Sequence, residues 1–195
     1  MMNEKKVQKT VDRNEVLKFL ADELKISLIR DYCPNGLQVE GQPDISSIVS
    51  GVTASSALIE AAIDLHADTL LVHHGYFWRN ENECIVGPKQ KRIRLLLENN
   101  INLIAYHLPL DYHPELGNNI QLANVLDFRP TGRFGENDIG WLGQMINPDI
   151  TTVGELARLI EKRLNRKPLV VGNLQQKLET IGWCTGAAQD LLPEA

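Results

Sequence analysis

The chain has 195 residues, of which 43% are hydrophobic and 23% charged. That is ordinary for a soluble globular protein and excludes a disordered, low-complexity or collagen-like chain, since a disordered chain lacks the apolar residues that offset ordering entropy. Lys+Arg 20 against Asp+Glu 25 leave a net charge of −5, which argues against a dedicated nucleic-acid binder.

Three cysteines, Cys33, Cys84 and Cys184, are widely spaced and form no Cys-x-x-Cys pair. They read as reduced thiols rather than as a disulfide framework or a zinc knuckle. The first ten residues, MMNEKKVQKT, lack an apolar signal core, and the longest apolar stretches fall short of a membrane span. The expectation is a cytoplasmic protein with no membrane partner.

Asp12 and Glu15 stand three apart ahead of Val16, Leu17, Phe19, Leu20 and Leu24, which predicts an N-capped amphipathic helix. Asn35-Gly36 is a turn signal, and Leu37 to Gly41 alternates like a short strand. From Ser46 a rhythm begins. Ile48 to Thr53 reads as a strand, Ser55 to Leu65 as a helix with Leu58, Ala61, Ala62 and Leu65 on one face, and Thr69 to His73 as a strand. Pro88 to Asn100 follows as a helix with Ile93, Leu95, Leu96 and Leu97 inside, and Ile101 to His107 as a strand. Strands alternating with helices predict parallel pairing through right-handed crossovers.

Asn118 to Leu126 is a further short helix, and Arg129 to Gly135 reads as a break rich in turn formers. This predicts a first α/β lobe at 1–128, a mainly parallel sheet with flanking helices, and a smaller α/β lobe at 129–195. Within the second lobe, Ile139 to Ile146, Leu169 to Gly172 and Thr180 to Cys184 are expected strands. Thr152-x-x-Glu155 is a capping box opening a helix from Val153 to Leu164. The chain then stops at Pro193-Glu194-Ala195, as if in mid-unit, so a C-terminal part is expected to be missing.

Five histidines are present: His66, His73, His74, His107 and His113. His73-His74-Gly75 ends one expected strand and His107-x-x-x-Asp111 ends the next. Ligands of an open parallel sheet bind at the carboxyl ends of its strands, so the two ends should converge on one crevice. Adjacent side chains on a strand diverge, so His73 and His74 are expected to serve different ions, with Asp111 as an oxygen ligand. Imidazole with carboxylate suits Zn, Fe, Mn, Co or Ni. Two such ions about 3.5–4 Å apart activate water for hydrolysis. The plainer alternative is a hydrogen-bonded core pair. Gly75 is expected to let the backbone turn sharply.

His66 is expected to complement a helix C-terminus and His113 to be solvated. Lys89, Lys91, Arg92 and Arg94 are expected on a solvated helix face. The carboxylates downstream of His113 include Glu136, Asp138, Asp149, Glu155, Glu179 and Asp190. No G-x-G-x-x-G, P-loop or Gly-x-Ser-x-Gly motif occurs.

Several segments in order carry a resemblance. They are Asn35-Gly36-Leu37-Gln38-Val39-Glu40-Gly41, Leu71-Val72-His73-His74-Gly75, Tyr106-His107-x-x-x-Asp111, Gly117-Asn118-Asn119 and Trp183-Cys184-Thr185-Gly186-Ala187-Ala188. The chain resembles the NIF-three-like family, often labelled GTP cyclohydrolase I type 2 homologues. The resemblance implies a two-lobed α/β protein with a dinuclear metal site, assembled as a ring-shaped homo-oligomer. It makes His73, His74 and Asp111 metal ligands and places His107 beside the metals. It also implies a C-terminal His-x-x-x-Glu, which these 195 residues lack. The expected function is divalent-metal binding, with dinuclear-metal-dependent hydrolysis of a small molecule, nucleotides included. A non-catalytic, metal-stabilised scaffold is the alternative.

Overall fold

The computed structural model describes residues 9–135 and 138–195. The chain divides into two compact units, Met1–Leu110 and Asp111–Ala195. The boundary expected after residue 128 lies near the junction of a helix and a strand inside the second unit.

In the first unit, β1 (Val11–Asp12) pairs with β3 (Asp44–Ile45), and the main sheet has the order β2-β6-β5-β4. Its strands are β2 (Gly36–Val39), β4 (Ile48–Thr53), β5 (Thr69–His74) and β6 (Asn102–Ala105). β4, β5 and β6 run parallel, joined through α2 (Ser56–Asp64) and α3 (Gly87–Glu98), while β2 is antiparallel to β6.

Strand alternation assigns the two faces. Leu70, Val72, Leu103 and Ala105 point to one side, where Ile59, Ala62, Ile93 and Leu96 of α2 and α3 cover them. Ile104 and Tyr106 point to the other, with Leu24, Ile45 and the partly buried Val16, Leu17 and Leu20 of α1 (Arg13–Glu23). Burying one of these aliphatic side chains contributes about 1.5–3 kcal/mol. Phe19, Leu65 and Leu97, expected on buried faces, are instead exposed. The buried stripes run through Ile59–Ala62 and Ile93–Leu96, the three-residue step of a helix.

The amino ends of β5 and β6 are tied down by polar side chains. Asn102 is fully buried and accepts from Gly41 N at 2.8 Å while donating to Gln42 O at 2.8 Å. Asp68 Oδ2 accepts from Ser46 N at 2.7 Å and Ser47 N at 3.0 Å. The histidines lie at the opposite ends of these strands.

The second unit holds an antiparallel sheet of order β7-β8-β9, made of Phe128–Phe134, Gly140–Met145 and Ile181–Trp183. After the short α4 (Leu108–Tyr112), the helices of nine residues or more among its described residues are α5 (Asn118–Leu126) and α6 (Val153–Leu164). Ala123, Leu126, Phe128, Trp141, Ile181 and Trp183 form one core, which is why α5 belongs with the strands that follow it. α6 opens with the expected Thr152–Glu155 capping box.

Two expectations fail here. The segment read as a break is strand β7. Its Pro130 is tolerated because β7 is an edge strand and its register shifts between Pro130 and Gly132. Leu169 to Gly172 is not a strand. No described strand pairs with it, and Leu169 and Val171 are more than 90% exposed. An apolar run becomes a strand only beside a ladder partner. Among the described residues, no helix is long and apolar enough to cross a membrane.

Candidate metal centre

In the first unit, β5 and β6 are adjacent and parallel, and β5 runs two residues past their last pair. Val72 pairs with Ala105, and Tyr106 N donates to Val72 O at 3.0 Å. His73 and His74 close β5, and His107 follows β6 by two residues. Each of the three rings offers one nitrogen, and these atoms all lie within 4.8 Å of one another. Two nitrogens on one ion with bonds of about 2.1 Å stand at most about 4.2 Å apart, so small ring rotations suffice for shared coordination.

The side chains of His73 and His74 do not diverge as expected. Their ring centroids are 4.4 Å apart. Alternation separates neighbours only where sheet lies between the faces; both histidines lie past the last β5–β6 pair, where long side chains can lean over the edge. His73 Nδ1 lies 3.0 Å from Tyr106 O, toward β6, and His74 Nδ1 lies 3.3 Å from Thr53 Oγ1, toward β4.

Gly75 is needed for closeness rather than for a turn, since its φ is not among the positive ones. A Cβ there would lie 2.7 Å from Gln38 Cδ and 2.8 Å from the Ala105 Cβ. Gln38 is itself fixed, accepting from Tyr76 N at 2.6 Å and donating to Pro34 O at 2.8 Å.

Asp31 escaped the sequence reading. It sits in the loop before β2, with a side chain 3% exposed, and its Oδ1 lies 3.0 Å from His107 Nδ1. Oδ1 also accepts from Tyr32 N at 2.7 Å, and Oδ2 accepts from Asn35 Nδ2 and Leu108 N, both at 2.9 Å. Asn35, read as a turn residue, also accepts from His107 N at 2.8 Å. Burial works against ionisation of Asp31, but hydrogen bonds from His107, Asn35 and Leu108 outweigh it and bring its pKa down to about 2. Asp31 is therefore a carboxylate at neutral pH.

Cys33 is the third member of a second group of possible ligands, Asp31, Cys33 and His107. Burial, the charge of Asp31 and the hydrogen bond to it push the thiol up to about 12, so Cys33 is a donor rather than a thiolate. The three cysteines are free thiols, as expected. Around His107, Trp78 and Tyr32 stand edge-on with centroids at 4.9 and 5.1 Å. No periodicity marks a lone loop carboxylate such as Asp31; its one signal is the Asp-x-x-x-Asn-Gly spacing.

Asp111 belongs to the second unit. It is buried, and its Oδ1 accepts from Asn118 Nδ2 at 2.7 Å and Thr185 Oγ1 at 3.3 Å. Asn119 is fully buried and donates to Asp111 O at 3.3 Å and Ile139 O at 3.2 Å. The segments Gly117-Asn118-Asn119 and Trp183-Cys184-Thr185 thus meet around Asp111.

His113 is buried, not solvated. Its Nδ1 accepts from Glu115 N and Leu116 N at 3.2 and 3.0 Å, satisfying a tight turn. His66 is exposed, with φ 54, just beyond the C-cap of α2. In the basic cluster, Lys89 pairs with Glu81 at 3.3 Å and Arg94 with Glu98 at 3.6 Å. Glu136 lies outside the described residues.

A parallel α/β unit with three imidazoles gathered at the carboxyl ends of adjacent strands defines a protein with a candidate transition-metal site. Comparison with known proteins gives its family: residues 11–195 match Duf34/NIF3 (NGG1p interacting factor 3), and the chain belongs to it. It is 53% identical over 177 residues to a Vibrio cholerae protein, covering 89% of this chain and 69% of that one. It is 50% identical over 175 residues to a Pseudomonas aeruginosa protein, covering 88% and 68%. Both relatives are named GTP cyclohydrolase 1 type 2 homolog. Among solved structures, protein ybgI, of unknown function, superposes with a TM-score of 0.86 at 43% identity, covering 94% of this chain and 73% of that one.

Proposed function

We propose that this chain binds divalent metal through His73, His74 and His107 and serves as the metal-bearing part of a hydrolase for a small molecule. The observation that carries the reading is the convergence of three imidazole nitrogens within 4.8 Å at one sheet edge. Such a donor set suits Zn, Fe, Mn, Co or Ni. A divalent ion there supplies Lewis-acid chemistry, acidifying water and polarising the bond to be cleaved.

The chain's own residues hold the rings. The Tyr106 carbonyl orients His73, Asp31 orients His107, and Trp78 and Tyr32 limit the movement of the His107 ring. The family resemblance extends the reading to a second ion, to Asp111 as oxygen ligand, to a cytoplasmic ring-shaped homo-oligomer, and to neither nucleic acid nor membrane as partner. The relatives' name supports nucleotides such as GTP as the first substrates to try.

The test is metal analysis after loading with Zn, Fe, Mn, Co or Ni, followed by a hydrolase panel that includes GTP. Wild type retains metal through dialysis against a mild chelator, His73→Ala and Asp111→Asn lose it, and exposed His66→Ala does not. Equal metal in all four proteins overturns the reading. Tight metal without turnover of any substrate favours a metal-stabilised scaffold.

A further inference from the structure

We propose that Asp31 is the positioning residue of the histidine cluster: its carboxylate holds His107 as the Nδ1–H tautomer and turns the opposite ring nitrogen toward His73 and His74. A carboxylate has only acceptor capacity, so the 3.0 Å contact between Asp31 Oδ1 and His107 Nδ1 requires the hydrogen on Nδ1. In the neutral ring the lone pair then sits on Nε2. His73 obeys the same logic, because its Nδ1 faces the Tyr106 carbonyl at 3.0 Å, and a carbonyl also only accepts. Acceptors thus set the tautomer of two of the three rings, as ligating histidines generally require.

Asp31 also holds the backbone on which His107 rides. Its Oδ2 accepts from Leu108 N, and Asn35, which donates to that same oxygen, accepts from His107 N at 2.8 Å. Ring and main chain of His107 are therefore fixed from one loop. The loop is clamped in turn: Arg79 N donates to Tyr32 O at 2.8 Å and Arg79 Nη2 to Asp31 O at 3.2 Å.

The same carboxylate lies within ligand reach of Cys33 and His107, so a direct metal role for Asp31 competes with this one. The hydrogen bonds decide between them. Tyr32 N, Asn35 Nδ2, Leu108 N, His107 Nδ1 and the Cys33 thiol all point at the two oxygens. A metal bound there would have to displace these donors, whereas the positioning role uses them as they stand.

The role in metal binding rests on the proposed function; the tautomer does not. The experiment therefore has two arms on the same samples. In 15N-labelled, metal-free protein at neutral pH, long-range proton–nitrogen correlation of the imidazoles should show His107 as Nδ1–H. In Asp31→Asn, the Asn35 and Leu108 donors keep the remaining oxygen on their side, so the new NH2 group faces His107 Nδ1, and His107 should shift toward Nε2–H while the amide spectrum of the sheet is kept.

Co2+ titration followed by visible absorption should then show affinity reduced roughly 10–100-fold in Asp31→Asn, with Asp64→Asn unchanged. An Nε2–H proton on His107 in wild type overturns the proposal, whether or not the variant folds. So does a folded Asp31→Asn with unchanged tautomer and Co2+ affinity. Nδ1–H on His107 in a wild type that takes up no Co2+ keeps the positioning role and overturns the metal reading instead.

Discussion

The amide of Thr185 donates to the side-chain oxygen of Asn119 across 2.6 Å, joining points 66 residues apart. Asn119 spends its side chain mainly on backbone, since its NH2 group also reaches Asp111 O and Ile139 O. Its own carbonyl accepts from Trp183 Nε1 at 3.0 Å. One buried amide thus fastens α5, the approach to β8 and the exit of β9. Asn119→Ala leaves three backbone groups, one buried and two partly buried, without this partner, and a buried unsatisfied group costs about 1–3 kcal/mol. We expect a loss of about 2–4 kcal/mol in urea unfolding. A loss under about 0.5 kcal/mol would mean that water replaces the amide.

Gly75→Ala tests the close approach at the end of β5. The added methyl meets Ala105 and a Gln38 held at both ends, so β5 must shift where it carries His73 and His74. Overpacking of this kind costs about 1–3 kcal/mol. Denaturation midpoints and Co2+ affinity should fall together; unchanged Co2+ affinity would separate the glycine from the site.

Thiol labelling should distinguish the cysteines. Cys84 is exposed, whereas Cys33 and Cys184 are partly buried. Burial raises the Cys184 thiol first, and the charge of Asp111 adds to it, with the Asn119 hydrogen bond opposing. The thiolate is the nucleophile, so raised thiols react slowly. With iodoacetamide at pH 7.5, Cys84 should be modified first and the other two at least about 10-fold more slowly, until denaturant equalises all three. Early labelling of Cys33 would contradict its placement beside Asp31.

Acid should loosen α6. Hydrogen bonds from Thr151 and Thr152 lower the pKa of Glu155. A carboxylate lowered on folding contributes stability that is present above its unfolded pKa, about 4.3, and is lost as pH falls through the folded value. Amide exchange of the first turn of α6 should therefore quicken as pH drops from about 4.3 downward, after correction for intrinsic rates. Glu155→Gln should flatten that dependence. An equally steep dependence in the variant would assign the titration to another group.

Much of this protein is legible in its residues. Alternation through Leu70, Leu71 and Val72 marks a strand buried on both faces, and Asp12, Ser55 and Thr152 each cap the helix they precede. His73, His74 and His107 fall at strand ends because the βα rhythm places them there. These are local properties: period, cap and turn act within a few residues and are written in the chain itself. Tertiary structure decided the rest. Asp31 lies 76 positions from His107, and Asn102 lies 61 from the Gly41 amide it accepts from. An isolated buried polar residue has no periodicity, and its partner exists only after folding. Strand status at Phe128–Phe134, and its absence at Leu169 to Gly172, likewise turned on whether a neighbouring strand was there to complete the hydrogen bonds. That is why the histidines could be picked out from the sequence, while the carboxylate that aims one of them could not.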